Sequence, residues 1–307
     1  SKLRDRSTGI EVWPGAWSRV LVSDYADLAL AFDPSTLEVR RDEIEAFDIA
    51  EAVLGKDFYD TLVRTLVDFG VFVRATPGTP AQKCERRLYV FPYDWRQDNV
   101  EQARGLEALI GAIRADYGDA TLRVDIVAHS MGGLIARYYL RYGPRDVLDG
   151  MPSLVSLYGA SRVRKLILLG TPNFGAVSAL HGYLAGEPVG LNRIRPETLA
   201  TLPSGYQLFP HPLAPWLIDP NGRSLPDEVF DPATASSLAV DANDQLAEAC
   251  RKYSGRFTGM AAVAPHDCRP IGLGHGQRKS HRGLDAEAAP EHEVHSAAPA
   301  RRHEVRR

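Results

Sequence analysis

The amino-acid sequence predicts an α/β fold, a mostly parallel sheet flanked by helices with a cap inserted above it. Apolar runs of strand length alternate with longer stretches of helical spacing, the pattern that crossovers between parallel strands produce. One such junction, residues 124–140 (VDIVAHSMGGLIARYYL), reads as strand, tight turn and helix with a serine at the apex. A proline- and aromatic-rich stretch, residues 174–236, breaks the alternation and is too long for a structureless loop in a compact domain. With 307 residues, 44% of them apolar, the chain can bury a substantial core in one large domain carrying an insertion.

In the junction, Val124, Ile126, Val127 and Ala128 form an apolar run that stops at His129-Ser130-Met131-Gly132-Gly133. Leu134, Ile135, Tyr138, Tyr139 and Tyr142 follow at helical spacing up to Gly143-Pro144. A small-x-Ser-x-Gly apex makes Ser130 a candidate nucleophile. The positions two before and two after it, Ala128 and Gly132, are expected to pack together, and Gly133 to let the helix approach the sheet. Free N–H groups at a helix N-terminus favour developing negative charge, and the Met131 N–H is placed to donate to an oxyanion. His129 is read as a packing or hydrogen-bonding residue, because consecutive residues in such a turn point apart.

Before the junction, residues 1–55 are mixed, with Trp13-Pro14-Gly15 and Trp17 marking an irregular, partly buried segment. Phe58, Leu62, Leu66 and Phe69 predict a helix over 57–69 ending at Gly70, and residues 71–73 a short strand. A Pro/Gly-rich loop over 75–82 leads to a strand over 87–91, which runs into Pro92-Tyr93-Asp94-Trp95-Arg96. Ligands of open α/β sheets bind at this strand end. The cluster therefore reads as a substrate contact or as an internal Asp–Arg pair with a packed Trp, and both can hold. Asp98 with Glu101 predicts a capping box for a helix over Asn99–Tyr117.

The apex strand is expected at 122–128. A second buried strand is expected at Val163–Leu169, closed by Gly170-Thr171-Pro172-Asn173, where Asn173 caps a helix or faces the pocket. Within the cap, aromatics (Tyr183, Tyr206, Phe209, Trp216, Phe230) build a small core and residues 196–202 a short helix. Residues 241–253 read as helix and 257–263 as a final strand.

A net charge of -3 points to no nucleic-acid or anionic-membrane partner, and no apolar run is long enough for a transmembrane helix. The three cysteines, Cys84, Cys250 and Cys268, are widely spaced and read as ordinary thiols. No metal or cofactor is expected. Residues 265–307 hold no aromatic residue, five Ile/Leu/Val and six of the nine histidines. Such a segment buries too little apolar area to offset its ordering entropy, so a folded domain over 1–264 and a mostly disordered tail are expected. The start at Ser1-Lys2-Leu3 shows no signal-like segment and suits a cytoplasmic or a secreted setting alike.

Four motifs in order, FPYDWR (91–96), AHSMGGLIARYY (128–139), LGTPNFGA (169–176) and YQLFP (206–210), resemble the lecithin:cholesterol acyltransferase family, as do SKLRD and EVWPG near the start. The resemblance covers roughly residues 1–263. It implies an α/β-hydrolase fold with a cap or lid, and a serine lipase or O-acyltransferase acting on a lipid ester, with transient contact to a lipid surface. It further implies Ser130 as nucleophile, the Met131 N–H as one oxyanion donor, Tyr93–Arg96 bordering the acyl pocket and the region after Asn173 as the cap.

Two features depart from the family. Its apolar first strand, whose Pro/Gly turn supplies the second oxyanion donor, has no counterpart before Ser1, so the N-terminal strand is expected to be missing. Its Gly-Asp-Gly-Thr-Val-Pro-like motif and later His are not visible after Val263, as in a partial or altered reading of a longer protein. A serine nucleophile needs a base and a group to hold that base. Asp267 and His292 (or His295) preserve the order Ser, Asp, His and are the candidate acid and base, against their reading as solvated tail residues. The alternatives are a non-catalytic hydrolase-fold protein that binds lipid or a partner, and an esterase for small soluble esters.

Overall fold

The computed structural model describes residues 1–33, 38–53, 56–57, 59–149, 155–210 and 221. All belong to the first of the two units into which the chain divides, Ser1–Ala264 and Pro265–Arg307.

The chain opens with an antiparallel sheet. Strand β1 (Lys2–Asp5) lies between β2 (Glu11–Trp13) and β3 (Ile44–Asp48). Strands this short, interrupted by register shifts, show too few alternations to be legible, which is why residues 1–55 read only as mixed. A short helix α1 (Trp17–Val22) and a 3₁₀ turn (Ala26–Leu28) separate β2 from β3. Two further short strands, β4 (Ala52–Val53) and β5 (Lys56–Asp57), form a hairpin.

The helix expected over 57–69 is divided. Helix α2 (Asp60–Arg64) runs into a π-helical turn, Thr65–Phe69, and Gly70 N–H bonds back to Thr65 O. The Thr65 hydroxyl bonds to Thr61 O, a back-bond of the kind that bends helices. Phe58 lies outside the described residues. The strand expected at 71–73 begins two residues later as β6 (Val73–Ala75), since Val71 has φ 56°, which no strand accommodates. Strand β6 pairs in parallel with β7 (Arg87–Tyr89).

Helix α3 (Asn99–Tyr117) has the expected bounds but not the expected cap. The Asp98 carboxylate accepts from Val100 N–H at 2.9 Å, whereas Glu101 turns outward to Arg104 and Arg41. Beyond α3, strand β8 (Val124–His129) pairs in parallel with β9 (Val163–Leu169), His129 lying opposite Leu169. Helix α4 (Met131–Tyr142) leaves β8 and stops at Gly143, where φ is 69°.

Of the expected cap, the described part is folded: α5 (Val177–Ala185), the hairpin β10 (Glu187–Val189) and β11 (Asn192–Ile194), then α6 (Pro196–Leu199) and α7 (Pro203–Tyr206). The short helix expected over 196–202 is present as the shorter α6, and α7 follows just beyond it, each with proline in its first turn, where a missing N–H costs nothing. Residues 211–220, 222–236, 241–253, 257–263 and 265–307 lie outside the described residues.

Two clusters carry most of the burial. The apolar face of α3 (Val100, Ala103, Leu106, Ile110) packs against that of α4 (Leu134, Ile135, Tyr138, Tyr139), with Val124, Ile126 and Val163 beneath. Each such fully buried aliphatic side chain contributes ~2 kcal/mol. The second cluster joins Leu3 and Val12 to Tyr25, Leu28, Ile194, Leu199 and Leu202, tying the N-terminal sheet to the β10–β11 hairpin and α6.

Among the described residues the parallel strands form two separate pairs, β6–β7 and β8–β9, compatible with the expected α/β class, and the antiparallel strands lie in other small sheets. The strand expected to be buried, β9, keeps Ile167 48% and Leu168 36% exposed.

Candidate active site

The apex between β8 and α4 follows from its backbone. Ser130 has φ 51° and ψ -128°, a conformation L-residues avoid and one that concentrates at functional sites. Its N–H donates to Leu169 O at 2.9 Å, so β9 holds the turn in place. The Ser130 hydroxyl and the Met131 N–H have no hydrogen-bond partner among the described residues. Met131 opens a helix of twelve residues, so its N–H adds to a field that favours an anion.

The expected packing of Ala128 on Gly132 is not what the structure shows. A Cβ on Gly132 would have Tyr93 Oη as its nearest neighbour, at 3.6 Å, and Ala128 is not within reach. The tight position is Gly133, where a Cβ would fall 1.9 Å from Thr171 Oγ1, in the loop after β9. Glycine there lets α4 lie against the sheet, as the sequence led one to expect.

His129 bonds through Nδ1 to Tyr59 Oη at 2.8 Å, and the rings meet edge to face at 5.4 Å. Burial raises the Tyr59 hydroxyl above the usual tyrosine value. Sequence reasoning missed Tyr59, because its link to His129 spans 70 residues. Of the nine histidines, His129 and His181 alone lie among the described residues. Both Asp267 and His292 fall outside them.

The 93–96 segment divides into closed and open positions. Arg96 is 0% exposed. Its guanidinium bonds to both Asp94 oxygens (3.0 and 2.8 Å), both Asp42 oxygens (2.7 and 3.0 Å) and Leu28 O (3.4 Å). Burial alone would favour losing the proton, but the two carboxylates outweigh it and hold Arg96 charged. Asp94 and Arg96 thus form the internal Asp–Arg pair that was one of the two expected readings of this cluster.

Trp95 stacks edge-on against Trp13 at 5.2 Å, and its backbone carbonyl accepts from Ser204. Tyr93 is different: its ring packs beside Phe91 at 5.9 Å, and no described group bonds its hydroxyl. Asn173 accepts from Arg137 of α4 at 2.5 Å, an arrangement neither expected role foresaw. Gln207, in the fourth motif, accepts from Asn99 N–H and donates to Asp98, both at 2.9 Å, which fastens it to the start of α3.

The model of one protein family, lecithin:cholesterol acyltransferase, matches residues 30–228, well over half of the chain and all four motifs. The chain belongs to the lecithin:cholesterol acyltransferase family. Membership carries lipid acyltransferase- or lipase-type activity and lipid substrates as its general expectation. A comparison with curated proteins gives no match. Among the described residues, no group of three His, Cys, Asp or Glu side chains is arranged to hold a metal, and no helix is long and apolar enough to cross a membrane.

Proposed function

We propose that the protein is a serine-dependent lipid acyl hydrolase or O-acyltransferase of α/β-hydrolase type, working through an acyl-enzyme on Ser130. The observation that carries this reading is the strained apex, which holds out an uncommitted hydroxyl beside an uncommitted helix N-terminus. Strain of ~1–3 kcal/mol persists in a fold where the surroundings enforce it, and active sites are where it collects.

In the reaction, Ser130 Oγ bonds to the ester carbonyl carbon as its proton passes to a general base. The carbonyl π pair moves to oxygen, which accepts from the Met131 N–H. Collapse expels the leaving alcohol, which takes the proton from the base and leaves Ser130 acylated. Water or an acceptor alcohol then takes the acyl group by the same steps in reverse. Transfer to an alcohol requires that water be excluded. The segment from Phe174, of which α5 to α7 are the described part, is the candidate cap, and Tyr93, Trp95 and Asn173 are the candidate pocket residues.

A fluorophosphonate probe should label the folded protein at Ser130, and Ser130→Ala should abolish labelling. Given labelling, an activity series of p-nitrophenyl esters should favour long acyl chains. Preference for acetate would shift the substrate to small esters. Absence of labelling, with a fatty acid still bound by Ser130→Ala, would make the protein a non-catalytic lipid binder.

A further inference from the structure

The Tyr93 hydroxyl has no role in the fold that the described residues reveal. In the same segment Asp94 and Arg96 bond to each other and the Trp95 carbonyl accepts from Ser204, while the Trp95 indole N–H is buried away from solvent with no described partner. The ring, by contrast, is held firmly. It packs with Phe91 against the α3–α4 core, and the backbone N–H donates to Ser1 Oγ at 3.0 Å. A fixed ring with an uncommitted polar end is a preorganised donor.

The hydroxyl also points to a definite place. Measured from a Cβ built on Gly132, in the first turn of α4, Tyr93 Oη is at 3.6 Å and Cε1 at 4.0 Å, so the hydroxyl is the part of the tyrosine nearest that residue. That turn begins one residue after Ser130 and carries the Met131 N–H. The neighbouring hydroxyl, Tyr59, is occupied by His129. Burial raises the Tyr93 hydroxyl far above the usual tyrosine value, so it stays protonated, and able to donate, throughout the neutral range.

We propose that the Tyr93 hydroxyl donates a hydrogen bond, beside the Met131 N–H, to the carbonyl oxygen of an ester under attack by Ser130. This rests on Ser130 being the nucleophile. Tyr93 keeps its proton throughout. It stabilises the charge that arrives as the carbonyl π pair moves to oxygen, and releases that oxygen when the carbonyl re-forms.

The test compares the rate of fluorophosphonate labelling, and kcat and KM for a p-nitrophenyl octanoate probe, in wild type and Tyr93→Phe. Loss of one oxyanion donor should slow labelling and lower kcat by about 100-fold, with KM and Tm unchanged. Tyr139→Phe serves as the control for losing a buried phenol elsewhere, since that hydroxyl serves Glu107 in the α3–α4 core. It should label at the wild-type rate. Equal labelling of wild type and Tyr93→Phe would overturn the role of Tyr93 and leave Ser130 standing as nucleophile. An unlabelled wild type would overturn both.

Discussion

Two strand ends of this protein, one after β7 and one after β8, hold polar residues in the same kind of position and treat them in opposite ways. After β7, Arg96 meets two carboxylates and a carbonyl and is sealed from solvent. After β8, Ser130 sits on a strained backbone with no described partner for its hydroxyl. The first arrangement spends the Arg96 guanidinium on the fold. The second leaves capacity unspent at the cost of backbone strain. Position at the C-terminal edge of a parallel strand therefore does not make a residue functional.

The sharpest break of this comparison is Arg96→Met. It would leave Asp42 and Asp94 with no cation between them, and losing one member of a buried ion group costs about 3–5 kcal/mol. Because Asp42 is 31% exposed, the lower end, ~3 kcal/mol, is expected from the midpoint of urea unfolding. Arg96→Lys should recover only part of it, since an ammonium cannot span both carboxylates. A wild-type midpoint for Arg96→Met would show that the knot is not structural.

At the apex the sign reverses. Ser130→Gly accommodates φ 51° freely, and relief of strain outweighs the extra entropy of an unfolded glycine, for a net gain of ~1 kcal/mol. The same variant loses all labelling. A destabilised Ser130→Gly would mean that the apex stores no strain.

The smallest effect is one of pH. Burial tends to raise the Glu107 carboxyl, but the hydroxyls of Tyr139 and Tyr158 and the Arg162 guanidinium outweigh it and hold it below the usual glutamate value. A lowered folded value adds stability above the unfolded value that is lost as pH falls through the folded one. Glu107→Gln should therefore flatten the acid limb of a stability–pH profile below about pH 4.5, which is the ordinary glutamate value. Ser130→Ala should leave that limb unchanged, and equal flattening by both would erase the distinction between the two kinds of site.

Legibility followed the range of the interactions. The bounds of α3 and β9, and the strand, apex and helix around Ser130, were readable because each is written in a dozen or so consecutive residues. The capping box was misread because Glu101 had rival partners in Arg104, three residues on, and in Arg41, 60 residues away. The N-terminal sheet was missed because strands of three to five residues carry too little pattern. In the candidate site, the strained turn at Ser130 and the helix start at Met131 were legible from the apex motif, whereas nothing local shows that the Tyr93 hydroxyl lacks a described partner while Asp94 pairs with Arg96.

By itself, then, the sequence determined the apex, its helix and the family, because local periodicity and a sharp turn need only neighbouring residues. Tertiary structure alone decided which candidates stay open. Arg96 closes because Asp42 and Leu28 arrive from distant parts of the chain, and His129 is engaged because Tyr59 does. A side chain's free capacity is what remains after every partner in space has been served, and that sum is not written in any one stretch of residues.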